Sequence, residues 1–204
     1  LIFPRTQGVA SKDLRYLAVR AFIDSTNKDG VHDFDYSKVL FEHFAWMQPL
    51  LSEYDTRFSK MKEVVEKWLL EMTGQNCIST ISGSSTYGLS IAVNSFVSGR
   101  VLLIQTGRCS EILGKLLRSI NCEVVEVNYE AFEAGLPTSN FSWIVGVYSE
   151  FSNGFLLDIK AVATYAEACG AKVLIDGSTS VGLESDHQLV DVVVFNSANG
   201  LFGL

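Results

Sequence analysis

The chain has 204 residues, is 48% hydrophobic and carries a formal net charge of −7. That length buries a sizeable core, as one large domain or two small ones. The acidic balance, with Lys+Arg at only 16, argues against the basic face that nucleic-acid binding needs and reads as solubility.

No apolar run is long enough to cross a bilayer, and Leu1-Ile2-Phe3-Pro4-Arg5 is too short for a signal peptide. Cys77, Cys109, Cys122 and Cys169 lack metal or disulfide spacing, which suits a reducing cytoplasm. Three histidines far apart argue against a zinc site.

In chain order, the pattern is helical and irregular up to Gly74. Tyr54 to Met72 is predicted as one amphipathic helix, with Phe58, Met61, Val65, Trp68, Leu69 and Met72 at helical spacing and Gly74 as its stop. Beyond Gly74, short apolar runs alternate with helical stretches. Strands are predicted at Cys77–Ser82, Val101–Thr106, Glu123–Asn128, Trp143–Ser149, Lys172–Asp176 and Val190–Ser197. Helices are predicted at about Thr86–Val97, Ser110–Ile120 and Ile159–Cys169. Val-, Ile- and Leu-rich strands without strict alternation are buried on both faces. Strand–helix alternation at this pitch predicts an α/β fold with a doubly wound, mostly parallel sheet, whose ligands sit outside the carboxyl ends of the strands.

Four strand ends carry polar chemistry. Gly83-Ser84-Ser85-Thr86 leads into a helix, where free N–H groups and hydroxyls suit a phosphate; an ordinary N-cap is the plainer reading. A Walker loop or a dinucleotide fingerprint fits these residues poorly. Asp176 ends the apolar run Val173-Leu174-Ile175; it suits a cationic heterocycle, or equally caps the following turn. Glu150-Phe151-Ser152-Asn153-Gly154 places a carboxylate before a turn glycine, with a plain loop as the alternative. The segment from Asn196 to Leu204 is, by composition, only a loop.

Taken in order, these segments resemble the class V aminotransferases of the fold type I pyridoxal 5'-phosphate (PLP) enzymes. Gly83-Ser84-Ser85-Thr86 resembles the family's phosphate loop, and Thr106-Gly107 its Asn-Gly turn. Glu150 to Gly154 resembles its Glu-Thr/Ser-Ser/Thr-Thr-Gly segment. Asp176-Gly177-Ser178-Thr179-Ser180 resembles the segment holding the aspartate of the pyridine nitrogen. Arg57-Phe58, leading into the helix that ends at Gly74, is also similar. Ser197-Ala198-Asn199 is similar to the lysine segment of the 2-aminoethylphosphonate–pyruvate transaminase branch, Ser-Ala-Asn-Lys-Cys-Ile-Glu-Gly.

The resemblance implies an N-terminal arm or helical segment at 1–50 and a PLP-binding large domain at 51–204, without the family's small C-terminal domain. It implies cofactor contacts from Ser84, Ser85, Thr86, Cys109, Glu150, Phe151, Asp176, Ser178, Ser197 and Asn199, with Asp176 in the catalytic role of keeping the ring nitrogen protonated. The family's Schiff-base lysine does not occur in the sequence. Laid without a gap it falls on Gly200 and the following residues mismatch. With one residue added between Asn199 and Gly200, Leu201 and Gly203 fall on the family's isoleucine and glycine. A lysine carrying the cofactor is a modified residue that a row of standard amino acids omits, so it is expected there. The implied activity moves an amino group between a small amino acid or aminophosphonate and a keto acid, in a cytoplasmic homodimer.

Two departures bear on this. Cys109 stands where the family has an aromatic ring stacked on the cofactor, and Phe151 where it has a hydroxyl residue. They keep open a desulfurase, lyase or decarboxylase on the same fold; a non-catalytic relative lacking the lysine is a further alternative. Arg5, His32 and Arg108 are candidates for meeting an anionic substrate, though surface solvation explains each.

Overall fold

A computed structural model describes residues 56–201. The predicted arm at 1–50, Tyr54, Arg5 and His32 lie outside the described residues, as do positions 202–204. The chain divides into two units, Leu1–Met61 and Lys62–Leu204; the second carries the sheet.

Helix α1 spans Thr56–Thr73 and ends at Gly74, whose φ of +66° supplies the left-handed stop that the sequence predicts. Its apolar stripe behaves otherwise than expected. Leu69 is buried and Met72 half-buried, but Val65 and Trp68 are exposed, as are Phe58 and Met61. Within the second unit only the end of the helix is engaged. A Cβ on Gly74 would stand 2.6 Å from Gln188 Cβ, and Gln75 donates through Nε2 to the carbonyls of His187 (2.7 Å) and Val190 (3.0 Å).

Five strands form one parallel sheet: β1 (Arg100–Gln105), β2 (Glu123–Asn128), β3 (Trp143–Val147), β6 (Lys172–Asp176) and β7 (Val192–Val194), in the order β2-β1-β3-β6-β7. Between β3 and β6 a small antiparallel hairpin joins β4 (Ser149–Glu150) to β5 (Phe155–Leu156). Helices α2 (Ser85–Phe96), α3 (Arg108–Ser119), α4 (Tyr129–Glu133) and α5 (Ile159–Cys169) complete the unit, with a single 3-10 turn at His187–Leu189. The strands are apolar on both faces because both are covered. Val101, Leu103, Val145 and Leu174 pack with Leu89 and Val93 of α2 and Leu113 and Leu117 of α3. Leu102, Ile104, Ile144, Val173 and Ile175 point the other way, onto Phe132, Ile159, Val162 and Ala166.

Two strand predictions are corrected. Cys77–Ser82 forms no strand and is largely exposed. A β-branched run becomes a strand only where a neighbour completes its ladder, and no described strand pairs with it. The last strand shrinks from Val190–Ser197 to Val192–Val194, because Val190 closes the 3-10 turn and Asn196 opens a side-chain-capped turn. Elsewhere the predicted elements stand to within a few residues. No helix among the described residues is long and apolar enough to cross a membrane.

Candidate active site

In this strand order the chain winds outward from β1 to β2 on one side and from β3 to β6 and β7 on the other. The reversal lies between β1 and β3, and an open α/β sheet has its crevice at such a point. The loop after β1 and the hairpin after β3 meet there. Gly107 leads into α3, and a Cβ on it would stand 2.6 Å from Glu150 Cγ and 2.8 Å from Ser152 Oγ, so only glycine admits the approach.

Glu150 is 0% exposed. Its carboxylate accepts from the backbone N–H of Cys109 (3.0 Å), Ser110 (3.3 Å) and Ser152 (3.2 Å), and from the Ser152 hydroxyl (2.6 Å). It thus plugs the start of α3, where unpaired N–H groups and the helix dipole favour an anion. Burial alone pushes the carboxyl up, but the bonds from Ser152 and Cys109 outweigh it and hold the group below its ordinary value.

Asp176 closes β6, 8% exposed. Its Oδ1 accepts from Ser178 N (2.9 Å) and Ser178 Oγ (2.6 Å). Its Oδ2 has no donor among the described residues. Here burial prevails: it raises the carboxyl, the Ser178 bonds offset part of this, and the Glu150 charge adds to the rise. The two carboxyls therefore move in opposite senses. Glu150 is satisfied as an anion; Asp176 is a buried carboxylate with no cation paired to it among the described residues.

Cys109 lies beside both. Its thiol is pushed up to about 11, first by burial, then by a hydrogen bond to Glu150 and by the charges of Glu150 and Asp176. It is a neutral thiol, not a thiolate nucleophile. Phe151, next to Glu150, is 74% exposed on the hairpin.

The start of α2 reaches the same edge of the sheet. Asp176 pairs in register with Val194 of β7. A Cβ on Gly88 would touch Val194 at 3.4 Å, so the first turn of α2 crosses the end of β7. Ser84 is the N-cap, its hydroxyl accepting from Tyr87 N at 3.2 Å, and the amides of Ser85 and Thr86 have no acceptor among the described residues. Ser85 is half-buried; Ser84 and Thr86 are exposed.

After β7, Asn196 Oδ1 accepts from the amides of Ala198 (2.9 Å) and Asn199 (3.0 Å), and Ser197 and Asn199 are exposed. Gly200 is buried, and a Cβ there would run into the carbonyl oxygen of Val181. No side chain, lysine included, replaces Gly200 without moving backbone. Gly200→Ala is expected to destabilise the fold by about 1–3 kcal/mol through overpacking, read as a lower urea midpoint; an unchanged midpoint refutes the tight contact.

The structure therefore gathers Glu150, Cys109, Asp176 and Ser178 at one edge with the start of α2, and leaves Phe151, Ser197 and Asn199 exposed around it. Arg108 is exposed at the first turn of α3, with its amide donating to Ser152 Oγ (3.1 Å). Sequence reasoning missed Ser110 and Ser152. Ser110 Oγ accepts from the amides of Thr106 (2.9 Å) and Gly107 (3.0 Å), and its spacing from Gly107 is that of a capping residue, a usable signal.

The 2-aminoethylphosphonate–pyruvate transaminase of Pseudomonas aeruginosa is 24% identical over 174 residues, covering 74% of this chain and 45% of that protein. Among solved structures, the ureidoglycine–glyoxylate aminotransferase of Bacillus subtilis superposes with a TM-score of 0.65 at 17% identity, over 74% of this chain and 43% of that one. The fold is that of the PLP-dependent aminotransferases. The alanine–glyoxylate aminotransferase of Nostoc sp. gives a TM-score of 0.63 at 19% identity, over 74% and 44% of the two chains. No family model matches the chain. It spans less than half the length of the curated relatives it matches, and its likeness to them and to the aminotransferase structures agrees with the class V resemblance of its motifs.

Proposed function

We propose that this chain is the PLP-binding large domain of an aminotransferase that moves an amino group between a small amino acid or aminophosphonate and a keto acid. The observation that carries the reading is Asp176: a buried carboxylate with one oxygen that has no donor among the described residues, at the carboxyl end of a parallel strand, on the edge shared with the open start of α2. A protonated pyridine nitrogen is the cation such a carboxylate lacks, and a phosphate is the anion such a helix start lacks. The residues thus fit the cofactor at both of its charged ends. When bound, PLP supplies an electron sink for the substrate carbon.

The chain's own residues do the rest. Asp176 holds a proton on the ring nitrogen, with Ser178 fixing Oδ1. The amides of Ser85 and Thr86, with the hydroxyls of Ser84, Ser85 and Thr86, bind the phosphate. Cys109, Glu150, Phe151, Ser197 and Asn199 bound the ring. A lysine between Asn199 and Gly200 is part of the proposal: crowding at Gly200 disfavours a lysine at that position itself and so supports the inserted register. A homodimer in the cytoplasm is proposed from the family resemblance alone.

The test is reconstitution of the full chain with PLP, followed by visible absorbance, borohydride reduction and intact mass. The proposal expects a coloured protein whose reduced adduct maps beside Asn199, and a lysine codon between those of Asn199 and Gly200. Colour without a reducible adduct, together with a continuous Asn-Gly codon pair, overturns the lysine and leaves a non-catalytic binder. Failure to bind PLP at all overturns the reading. Release of sulfur or carbon dioxide in place of keto acid moves the chemistry to the lyase side, against which the neutral Cys109 thiol weighs.

A further inference from the structure

A second buried polar pair lies behind the site. His187 is 2% exposed and Ser180 is fully buried, with His187 Nε2 3.0 Å from Ser180 Oγ. Neither side chain opens onto the ligand edge. Buried polar groups persist where they are paired, so the pairing itself is expected; what matters is what it holds.

Ser180 ends the turn that begins at Asp176. The carbonyl of Gly177 accepts from Ser180 N (3.0 Å) and Val181 N (3.1 Å), and the Ser180 hydroxyl lies 3.3 Å from the same oxygen. Ser178, inside that turn, makes both hydrogen bonds to Asp176 Oδ1. His187 is held in its turn, at its main chain and at its ring. Gln75 Nε2 donates to the His187 carbonyl at 2.7 Å, and the ring meets Tyr148 edge-on, with centroids 5.1 Å apart. Tyr148 in turn donates its N–H to the Asp176 carbonyl (3.0 Å) and its hydroxyl to the Ser185 carbonyl (2.7 Å). Asp186, whose charge acts on the ring, is itself paired with Lys160 at 3.6 Å. His187, held at its main chain by Gln75, thus reaches through its ring to Ser180, which closes on the Gly177 carbonyl the turn that also carries Ser178 and its bonds to the carboxylate.

We propose that His187 is a positioning residue for Asp176: through Ser180 it fixes the turn that carries Ser178, and so decides which carboxylate oxygen is tied down and which faces a ligand. The use of that free oxygen rests on the proposed cofactor reading; the positioning itself does not.

The test uses the full chain. The Asp176 carboxyl is titrated by carbon-13 NMR in the wild type, in Ser180→Ala, and in the double variant Ser180→Ala with His187→Leu, which removes both polar partners and keeps an apolar fill. His187→Gln, whose amide reaches the place of Nε2, is the conservative control. The Ser178 bonds lower the Asp176 carboxyl, so loosening the turn moves its titration upward in Ser180→Ala and in the double variant, and much less in His187→Gln. An unmoved titration in a folded double variant, or in Ser180→Ala should the double variant not fold, overturns the proposal and leaves a core polar pair. In parallel, the affinity for PLP is read by fluorescence, with a loss of about tenfold expected when the turn is loosened. If no variant, wild type included, binds PLP while the titration still moves, the cofactor reading falls and the positioning role stands.

Discussion

Asp176→Asn is expected to weaken PLP binding by roughly 10- to 100-fold, the worth of a charge-assisted hydrogen bond, while making the unliganded chain harder to unfold. The two effects have one cause. Burial raises the Asp176 carboxyl above its ordinary value of 3.8, which means the folded state disfavours its charge. A group with a raised folded value contributes stability below its unfolded value and loses it as the pH rises through the folded one. At neutral pH the ionised side chain therefore costs stability, and asparagine removes that cost while keeping an oxygen for Ser178. The urea midpoint of the variant should exceed that of the wild type at pH 7, and the difference should shrink as the pH falls toward 3.8. A lower midpoint with unchanged PLP affinity would contradict the assignment. Activity and stability pull apart in this way where a site holds a group for a ligand and not for the fold.

Glu150→Ala should do the reverse and damage the fold itself. The carboxylate is the acceptor for the amides of Cys109 and Ser110 at the start of α3, and for the amide and hydroxyl of Ser152 on the hairpin after β3. Removing it orphans those donors in a buried place and leaves the helix start without its anion, a loss of about 3 kcal/mol. Glutamine fills the space but turns an NH2 toward some of those donors, so Glu150→Gln should fall between. The pH dependence carries the opposite sign to that of Asp176. Glu150 is held below its ordinary value of 4.5, so its contribution is present above that value and is lost as the pH falls through the lower folded one. Urea midpoints of wild type and Glu150→Gln should differ most at neutral pH and converge in acid. Parallel curves at every pH would show that the carboxylate's charge is not what holds the crevice together.

The contrast between these two carboxyls shows where sequence reading stopped. Both stand at strand ends beside turn residues, and in the linear chain Asp176 was equally a plain cap and Glu150 the start of a plain loop. Their difference comes from partners distant in sequence. Glu150 meets Cys109 and Ser110 because β1 and β3 are neighbours across the switch point; among the described residues the Asp176 carboxylate has only Ser178, two residues on. The strand that failed, Cys77–Ser82, failed for a like reason: its β-branched composition was legible, but that no described strand pairs with it was not. The stripe on α1 was read correctly as a helical period, yet whether a face is covered depends on what stands opposite it.

What the linear chain determined by itself was the alternation of strand and helix, the parallel sheet that follows from it, and the strand ends where chemistry is placed. Those follow from local hydrophobic period and from punctuation by glycine, serine and asparagine, which act over a few residues. Only the tertiary structure decided that Glu150 is a satisfied anion, that Asp176 is left wanting a cation, that Gly200 is pressed against the Val181 carbonyl, and that His187 stands behind the site. Each of these is a matter of burial and of partners far apart in the chain, and residue order alone carries no distance between them.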